Sequence, residues 1–112
     1  MDEAVFLWEI LVPKNNPRGE SIALSCHHMW DRKVRTITGG LTILKSVRGQ
    51  WISQDKTLFI EPMIPVRIAC TREEIEQIAT ITAKHYQQQA VMFYLVSKQV
   101  TILHYNENGD RV

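Results

Sequence analysis

Hydrophobic positions follow two periods along the chain, and each change of period marks a predicted element. Residues 5–12 read VFLWEILV, a β-branched and aromatic run that ends at Pro13, which predicts a first strand. Residues 20–37 repeat apolar side chains every third or fourth position, which predicts a first helix. Gly39 or Gly40 would supply the left-handed residue that ends it. The predicted buried face of this helix is Ile22, Cys26, Met29, Trp30, Val34 and Ile37.

A long hairpin is predicted next. Residues 41–52 alternate loosely around Gly49 and predict a bent second strand, because a glycine inside a strand often marks a bend. After a polar turn, residues 58–70 predict a third strand that contains Pro62 and Pro65. Proline cannot donate a ladder hydrogen bond, so we expect this hairpin to project beyond the main sheet.

A capping box marks the start of the second helix. The Thr71 hydroxyl can accept from the backbone N–H of Glu74, while the Glu74 side chain can reach back to Thr71. Residues 90–96 then predict a fourth strand, and residues 100–105 a short fifth strand. The predicted buried face of the second helix is Ile75, Ile78, Ala79, Thr82 and Tyr86.

The order of these elements predicts one α+β domain. A βαββαβ series is the ferredoxin-like sandwich, here with a long bent hairpin between the second and third strands and an extra C-terminal strand. A chain of 112 residues has the size of one domain. We assign residues 1–105 to this domain and residues 106–112 to a flexible tail, because the tail lacks an apolar anchor.

Both faces of the predicted sheet are apolar. The first strand places Phe6, Trp8, Ile10 and Val12 on one face and Val5, Leu7, Glu9 and Leu11 on the other. Two helices on one side can cover only one face, whereas an apolar face is rarely left exposed on a monomer. We therefore expect a homo-oligomer that forms through the helix-free face. The alternative is that the C-terminal strand or the hairpin folds over that face.

Two charged residues interrupt the helix-free face. Glu9 and Arg67 are predicted at the middle of the first and third strands, which are neighbours in the ferredoxin-like order. One interpretation is an ion pair within the oligomer interface, since buried charges must be paired. The other is a site for a small anion or carboxylate with Arg67 as a fork-shaped donor. Tyr94 is added to these ligand-binding candidates, although alternation leaves open which face it occupies.

Cysteine and histidine residues predict no metal site. Cys26, His27 and His28 are adjacent on the first helix, where neighbouring side chains diverge by roughly 100°, so they cannot converge on one ion. We interpret Cys26 as core and both histidines as helix-surface residues. His85 lies at the end of the second helix, where the helix dipole explains it, and His104 lies on the last strand. We predict no cofactor and assign no catalytic residue.

Charge and hydropathy exclude several partners. Lys and Arg number 13 against 12 Asp and Glu, so the formal charge is +1 and no long-range field favours nucleic acid. Trp8, Trp30 and Trp51 are predicted at or near core-facing positions, which leaves no aromatic platform for bases. No apolar run approaches the ~18 residues of a membrane span. The acidic N-terminus is unlike a secretory signal, and we expect a cytoplasmic protein.

Four short motifs carry a family resemblance. They are Gly39-Gly40-Leu41-Thr42, Gly49-Gln50-Trp51, Glu61-Pro62 and Gln88-Gln89-Ala90-Val91. Over about residues 39–96 the chain resembles a bacterial family of short ferredoxin-like domains of unknown function. The bent hairpin is also similar, at the level of fold, to trimeric copper-tolerance proteins and signal-transducing nitrogen regulators, and the doubly apolar sheet to dimeric α/β barrels. The resemblance implies an architecture and no chemistry.

Three functional hypotheses follow from this sequence. The first is a non-enzymatic, oligomeric binding or regulatory domain for a small polar ligand or a protein partner. The second is a small cofactor-free enzyme inside a dimeric α/β barrel, with Arg67 holding an anionic substrate and a histidine as general base. The third is a ligand-free interaction protein from a mobile element. The chain is more consistent with a protein that is not an enzyme.

Overall fold

Residues 3–112 of the computed structural model fold into two helices and five strands. The elements are β1 (Phe6–Pro13), α1 (Leu24–Thr38), β2 (Thr42–Ile43), β3 (Val47–Ile52), β4 (Leu58–Cys70), α2 (Arg72–Tyr86) and β5 (Phe93–Ser97). All strand pairs are antiparallel. The α+β ferredoxin-like class predicted from the order of elements is confirmed, because both helices connect strands of a single sheet.

The long strand β4 organises the sheet. The strand order is β2-β4-β1-β5, and β3 pairs with the part of β4 that extends beyond β2. Strands β2 and β3 are thus two segments of the predicted bent second strand, interrupted at residues 44–46. The molecule measures 55 × 30 × 22 Å, as expected if the β3–β4 hairpin projects along the long axis.

Helix α1 begins later than predicted, at Leu24. The N–H of Ile22 donates to the carbonyl of Lys14 at 3.0 Å, so the preceding residues belong to a turn tied to the end of β1. At the other end, Gly39 has φ 85° and its N–H donates to the carbonyl of Arg35 at 2.8 Å. The predicted left-handed end of the helix is confirmed at Gly39. Neither helix among residues 3–112 is long and apolar enough to cross a membrane.

The core lies between the two helices and one face of the sheet. Its buried members are Trp8, Ile10, Val12, Trp30, Val34, Val66, Ile68, Cys70, Ile75, Ile78 and Tyr86. Two core predictions are wrong. Met29 is exposed on α1, and the side chain of Trp51 is exposed on the projecting hairpin, where no helix reaches it.

The predicted fifth strand at residues 100–105 is also wrong. Residues 98–104 form no regular strand, and Tyr105 makes only an isolated bridge with Arg111. The side-chain oxygen of Asn106 accepts from the N–H groups of Asn108 and Asp110, at 3.0 and 2.9 Å. This local turn lies beyond the predicted strand and brings Arg111 back to pair with Tyr105. The division into a domain that ends at residue 105 and a flexible tail stays a prediction.

The capping box at the start of α2 has its full geometry. The N–H of Glu74 donates to Thr71 Oγ1 at 3.1 Å, and the N–H of Thr71 donates to Glu74 Oε1 at 2.9 Å. Two donors that the first helical turn cannot satisfy are paired in this way. Because α2 contributes much of the core, its first turn helps to hold the helical layer on the sheet.

We expect Thr71→Ala to lower the free energy of unfolding by about 1 kcal/mol, because the Glu74 N–H loses its acceptor. Urea denaturation followed by circular dichroism measures this change. The matched control is Thr80→Ala, an exposed threonine in the middle of α2 whose hydroxyl only donates to the carbonyl of Glu76. An unchanged midpoint for Thr71→Ala would mean that the cap does not stabilise the helix.

Candidate functional site

The face of the sheet opposite the helices carries a row of three polar side chains. In the strand register Glu9 of β1 lies opposite Arg67 of β4 on one side and Tyr94 of β5 on the other. Residues opposite each other in an antiparallel pair share one face. The three predicted ligand-binding candidates therefore meet in one row across three strands, and the binding role itself stays a prediction.

Glu9 and Arg67 form an ion pair within this row. Arg67 Nε donates to Glu9 Oε1 at 2.9 Å. The Glu9 side chain is only 8% exposed, whereas that of Arg67 is 43% exposed. Among residues 3–112 no other hydrogen bond of the Arg67 guanidinium is found, so its two terminal amino groups remain available. Glu9 thus holds Arg67 through Nε and leaves the two terminal amino groups free to donate to a ligand.

Tyr94 lies on the same face as Glu9, which settles the question that strand alternation left open. Its position follows from the pairing of β5 with β1, where the register shifts between Leu7 and Trp8. Alternation along β5 alone could not reveal which side faces the helices. The Tyr94 ring is partly exposed and adds a phenol to the edge of the row.

A cleft of about 550 Å³ opens beside Arg67. Its lining comes from β1, β2, β4, the end of α1 and the C-terminal segment, and includes Leu7, Gly40, Thr42, Arg67, Ala69 and His104. The sequence indicated no role for His104 and placed it on a strand. Only the tertiary fold brings its imidazole to the same cleft as Arg67. The Arg67 guanidinium, the His104 imidazole and the Thr42 hydroxyl border a cleft of the size that holds a metabolite. Donor groups of these kinds are suited to the binding of a small anion.

The C-terminal segment reaches the rim of this cleft without closing it. Ile102 lines the cleft together with His104, yet both side chains are exposed. The alternative in which the C-terminus covers the helix-free face is therefore realised only at one edge. Much apolar surface remains on this side and on the hairpin, including Val47, Trp51, Phe59 and Met92.

A second group of polar contacts joins the two helices. His27 Nδ1 lies 2.7 Å from the Tyr86 hydroxyl, and His85 Nε2 lies 2.8 Å from the carbonyl oxygen of Cys26. Since a carbonyl can only accept, His85 donates through Nε2, and its Nδ1 can accept from Lys33 Nζ at 3.2 Å. His27 is thus half-buried and bonded across the helix pair, not a surface residue as predicted. Cys26 is also half-buried, and not part of the fully buried core.

Burial controls the protonation of this inter-helix group. Removal from water lowers the pKa of His27, although the nearby Asp31 carboxylate opposes the shift. Removal from water also raises the pKa of Tyr86. The neutral pairing that results has the Tyr86 O–H donating to His27 Nδ1. In the core, burial raises the pKa of the Cys70 thiol to about 12, which keeps it protonated.

The described part of the chain contains no cluster of side chains that could serve as a metal site. Cys26 Sγ and His85 Nε2 approach within 3.4 Å, but no group of three His, Cys, Asp or Glu side chains that could hold an ion occurs among residues 3–112. A structural zinc site needs four ligands. The absence of a metal and of a cofactor stays a prediction.

The fold and this face define the class as a small ferredoxin-like α+β domain. The chain matches no family model, and no curated protein matches it. Among solved structures it is similar to a phage SAM lyase in complex with S-methyl-5′-thioadenosine, with a TM-score of 0.66, 11% identity and coverage of 99% of this chain and 87% of the lyase.

Divalent-cation tolerance proteins have the same fold. CutA1 from the psychrotrophic bacterium Shewanella sp. SIB1 aligns with a TM-score of 0.64 and 10% identity over 91% of this chain and 88% of its own. The periplasmic CutA from Archaeoglobus fulgidus aligns with a TM-score of 0.62 and 5% identity over 88% and 87%. At these identities the likeness establishes the fold alone.

The burial of His27 predicts a pH dependence of stability. Because its pKa is lower in the folded than in the unfolded protein, the unfolded state binds more protons below the ordinary value of 6.5. The free energy of unfolding therefore suffers no loss from His27 above pH 6.5. It declines as the pH falls from 6.5 toward the lower pKa that His27 has in the folded protein. Denaturation midpoints at pH 7.5 and 5.5 should differ less in His27→Gln than in the wild-type protein.

The exposed His28 provides the control for this measurement. His28→Gln should keep the wild-type difference between the two midpoints, because the His28 side chain is already in contact with water in the folded protein. Equal pH responses of the wild-type protein and His27→Gln would contradict the proposed burial effect.

Proposed function

We propose that this protein is a non-enzymatic, homo-oligomeric binding domain for a small anionic ligand. The observation that carries the proposal is the Arg67 side chain, held by the buried Glu9 with its free amino groups beside a cleft of about 550 Å³. A carboxylate can bind both free amino groups of such a fork in a bidentate manner. Tyr94 and His104 would then add hydrogen bonds at the periphery.

Self-association is the second part of the proposal. The helix-free face has apolar residues on both sides of the polar row, and no helix among residues 3–112 packs against it. Another copy of the chain would remove this surface from water at about 25 cal/mol per Å² of apolar area. The cytoplasmic location and the relationship to short bacterial domains of unknown function belong to the same proposal.

Light scattering at micromolar concentration tests the assembly. We expect a mass that is a multiple of 13.0 kDa. Val5→Lys, at an exposed position on the helix-free face, should shift the mass toward one chain while the circular dichroism spectrum stays that of a folded protein. Met29→Lys is the matched control, because Met29 is exposed on the opposite, helical side. A wild-type monomer would overturn the proposed interface.

Calorimetric titration tests the anion site. We expect succinate to bind and its dimethyl ester not to bind, because the ester lacks the charge that Arg67 recognises. Arg67→Met should weaken succinate binding by at least tenfold, consistent with the loss of a charge-assisted hydrogen bond worth about 1.5–3 kcal/mol. Arg35→Met, at an exposed arginine of α1, should have no effect. Equal affinities of wild type and Arg67→Met would contradict the assignment.

An enzyme without a cofactor is the competing function. Tyr94 and His104 bring two protonatable groups to the face that carries Arg67, and a phage SAM lyase has a similar fold. Incubation of the purified protein with SAM distinguishes the two functions. Release of S-methyl-5′-thioadenosine that is lost in Arg67→Met would establish the enzyme, whereas binding without turnover supports the binding domain.

A further inference from the structure

The projecting hairpin carries a tryptophan whose ring lies close to a glycine. Trp51 of β3 has its side chain partly exposed, at 43%, although tryptophan is usually buried in a domain of this size. A Cβ atom added to Gly49 would lie 3.2 Å from Trp51 Cζ3 and 3.6 Å from Met63 Cγ. The indole ring thus lies close to the bare backbone of Gly49, and a Cβ atom there would require it to shift by a few tenths of an ångström. Gly49 and Trp51 together form an aromatic platform.

Gln88, which follows the C-terminal end of α2, borders the same cleft as this platform. Gln87 ends the helix in the left-handed conformation with φ 55°, and the N–H of Gln88 donates to the carbonyl of Ala83 at 2.9 Å. The backbone of Gln88 is therefore anchored. Its side-chain oxygen is the one buried side-chain polar atom without a hydrogen bond among residues 3–112. The carboxamide can consequently turn toward a ligand without breaking an internal hydrogen bond.

Trp51 and Gln88 line one cleft of about 380 Å³. Its other walls come from Leu11, Met63, Val91 and Met92, which belong to β1, β4 and the segment that enters β5. The cleft is mainly apolar, and the Gln88 carboxamide supplies a donor and an acceptor. A volume of this size accommodates a metabolite.

We infer that this cleft binds a planar heteroaromatic ring that carries an amino group next to a ring nitrogen. The Trp51 ring provides a stacking surface, as aromatic side chains do for nucleobases. A glutamine carboxamide pairs with an amino donor and an adjacent ring nitrogen in a bidentate manner, as it does with adenine. Two motifs that are distant in the sequence, Gly49-Gln50-Trp51 and Gln88-Gln89-Ala90-Val91, thereby act at one place.

The unpaired carboxamide is what favours a ligand over a second copy of the chain in this cleft. An apolar side chain from another copy could fill the volume, but it would leave the carboxamide unpaired in a more fully buried setting. A buried polar group without a partner is costly. The site is independent of the Arg67 cleft, because its recognition needs no negative charge on the ligand.

Adenosine is the probe for calorimetric titration of the full chain. We expect adenosine to bind, and purine riboside, which lacks the amino group, to bind at least fivefold more weakly. Trp51→Ala and Gln88→Leu should each weaken adenosine binding by at least fivefold. Gly49→Ala keeps the tryptophan but requires its ring to shift by a few tenths of an ångström, so it should weaken binding less than Trp51→Ala does, while the circular dichroism spectrum is retained. Tyr105→Ala, at an exposed tyrosine away from the cleft, should leave the affinity unchanged.

Three results would overturn the inference. The first is no heat of binding for adenosine at millimolar concentration. The second is equal affinity for adenosine and purine riboside together with full affinity in Gln88→Leu. The third is a change in oligomeric mass of Trp51→Ala with unchanged adenosine binding, which would identify the cleft as a contact between copies. Because adenosine carries no anionic group, its failure to bind would leave the Arg67 proposal standing.

Discussion

Two helices of 15 residues each cover one face of the sheet, and the coverage of that single face determines the rest of the structure. Trp8, Ile10 and Val12 are nearly fully buried because α1 and α2 pack on them. The alternate residues of the same strand have no helix over them, and Leu7 and Leu11 among them are only half-buried. A sheet with this composition normally has both faces covered. Function is therefore expected on the side that the helices leave open.

The helix-free face carries one partly buried ion pair and two clefts. Glu9 is buried by its neighbours in the sheet, and a buried carboxylate requires a partner, which Arg67 provides from the adjacent strand. The pairing uses one edge of the guanidinium and directs the remainder toward the cleft that His104 also lines. Farther along the same face, Trp51 and Gln88 border a mainly apolar cleft. One surface thus carries two environments of different chemistry.

The helical layer illustrates how burial changes the role of residues that look ordinary in the sequence. Cys26, His27 and His28 are adjacent, and their spacing excludes a common metal ion. His28 is exposed, as predicted. His27 and Cys26 are half-buried, because the position of α2 brings Tyr86 to His27 and His85 to Cys26. Helix spacing specifies which residues share a face, but the partner of that face depends on how the helices pack.

The sequence by itself determined the elements with strong local signals. Alternation in β1 and β4, the capping box at Thr71 and the glycine at the end of α1 depend on neighbouring residues only, so their positions could be predicted. It also determined that Glu9 and Arg67 would meet, since the predicted strand order made them neighbours. Only the tertiary structure decided the face of Tyr94 and the exposure of Trp51. It alone also placed His104 on the cleft of Arg67, and Gln88 on the cleft of Trp51. These features depend on strand register and on contacts between segments that are distant in the sequence. Such contacts produce no periodic pattern of hydrophobic residues from which they could be predicted.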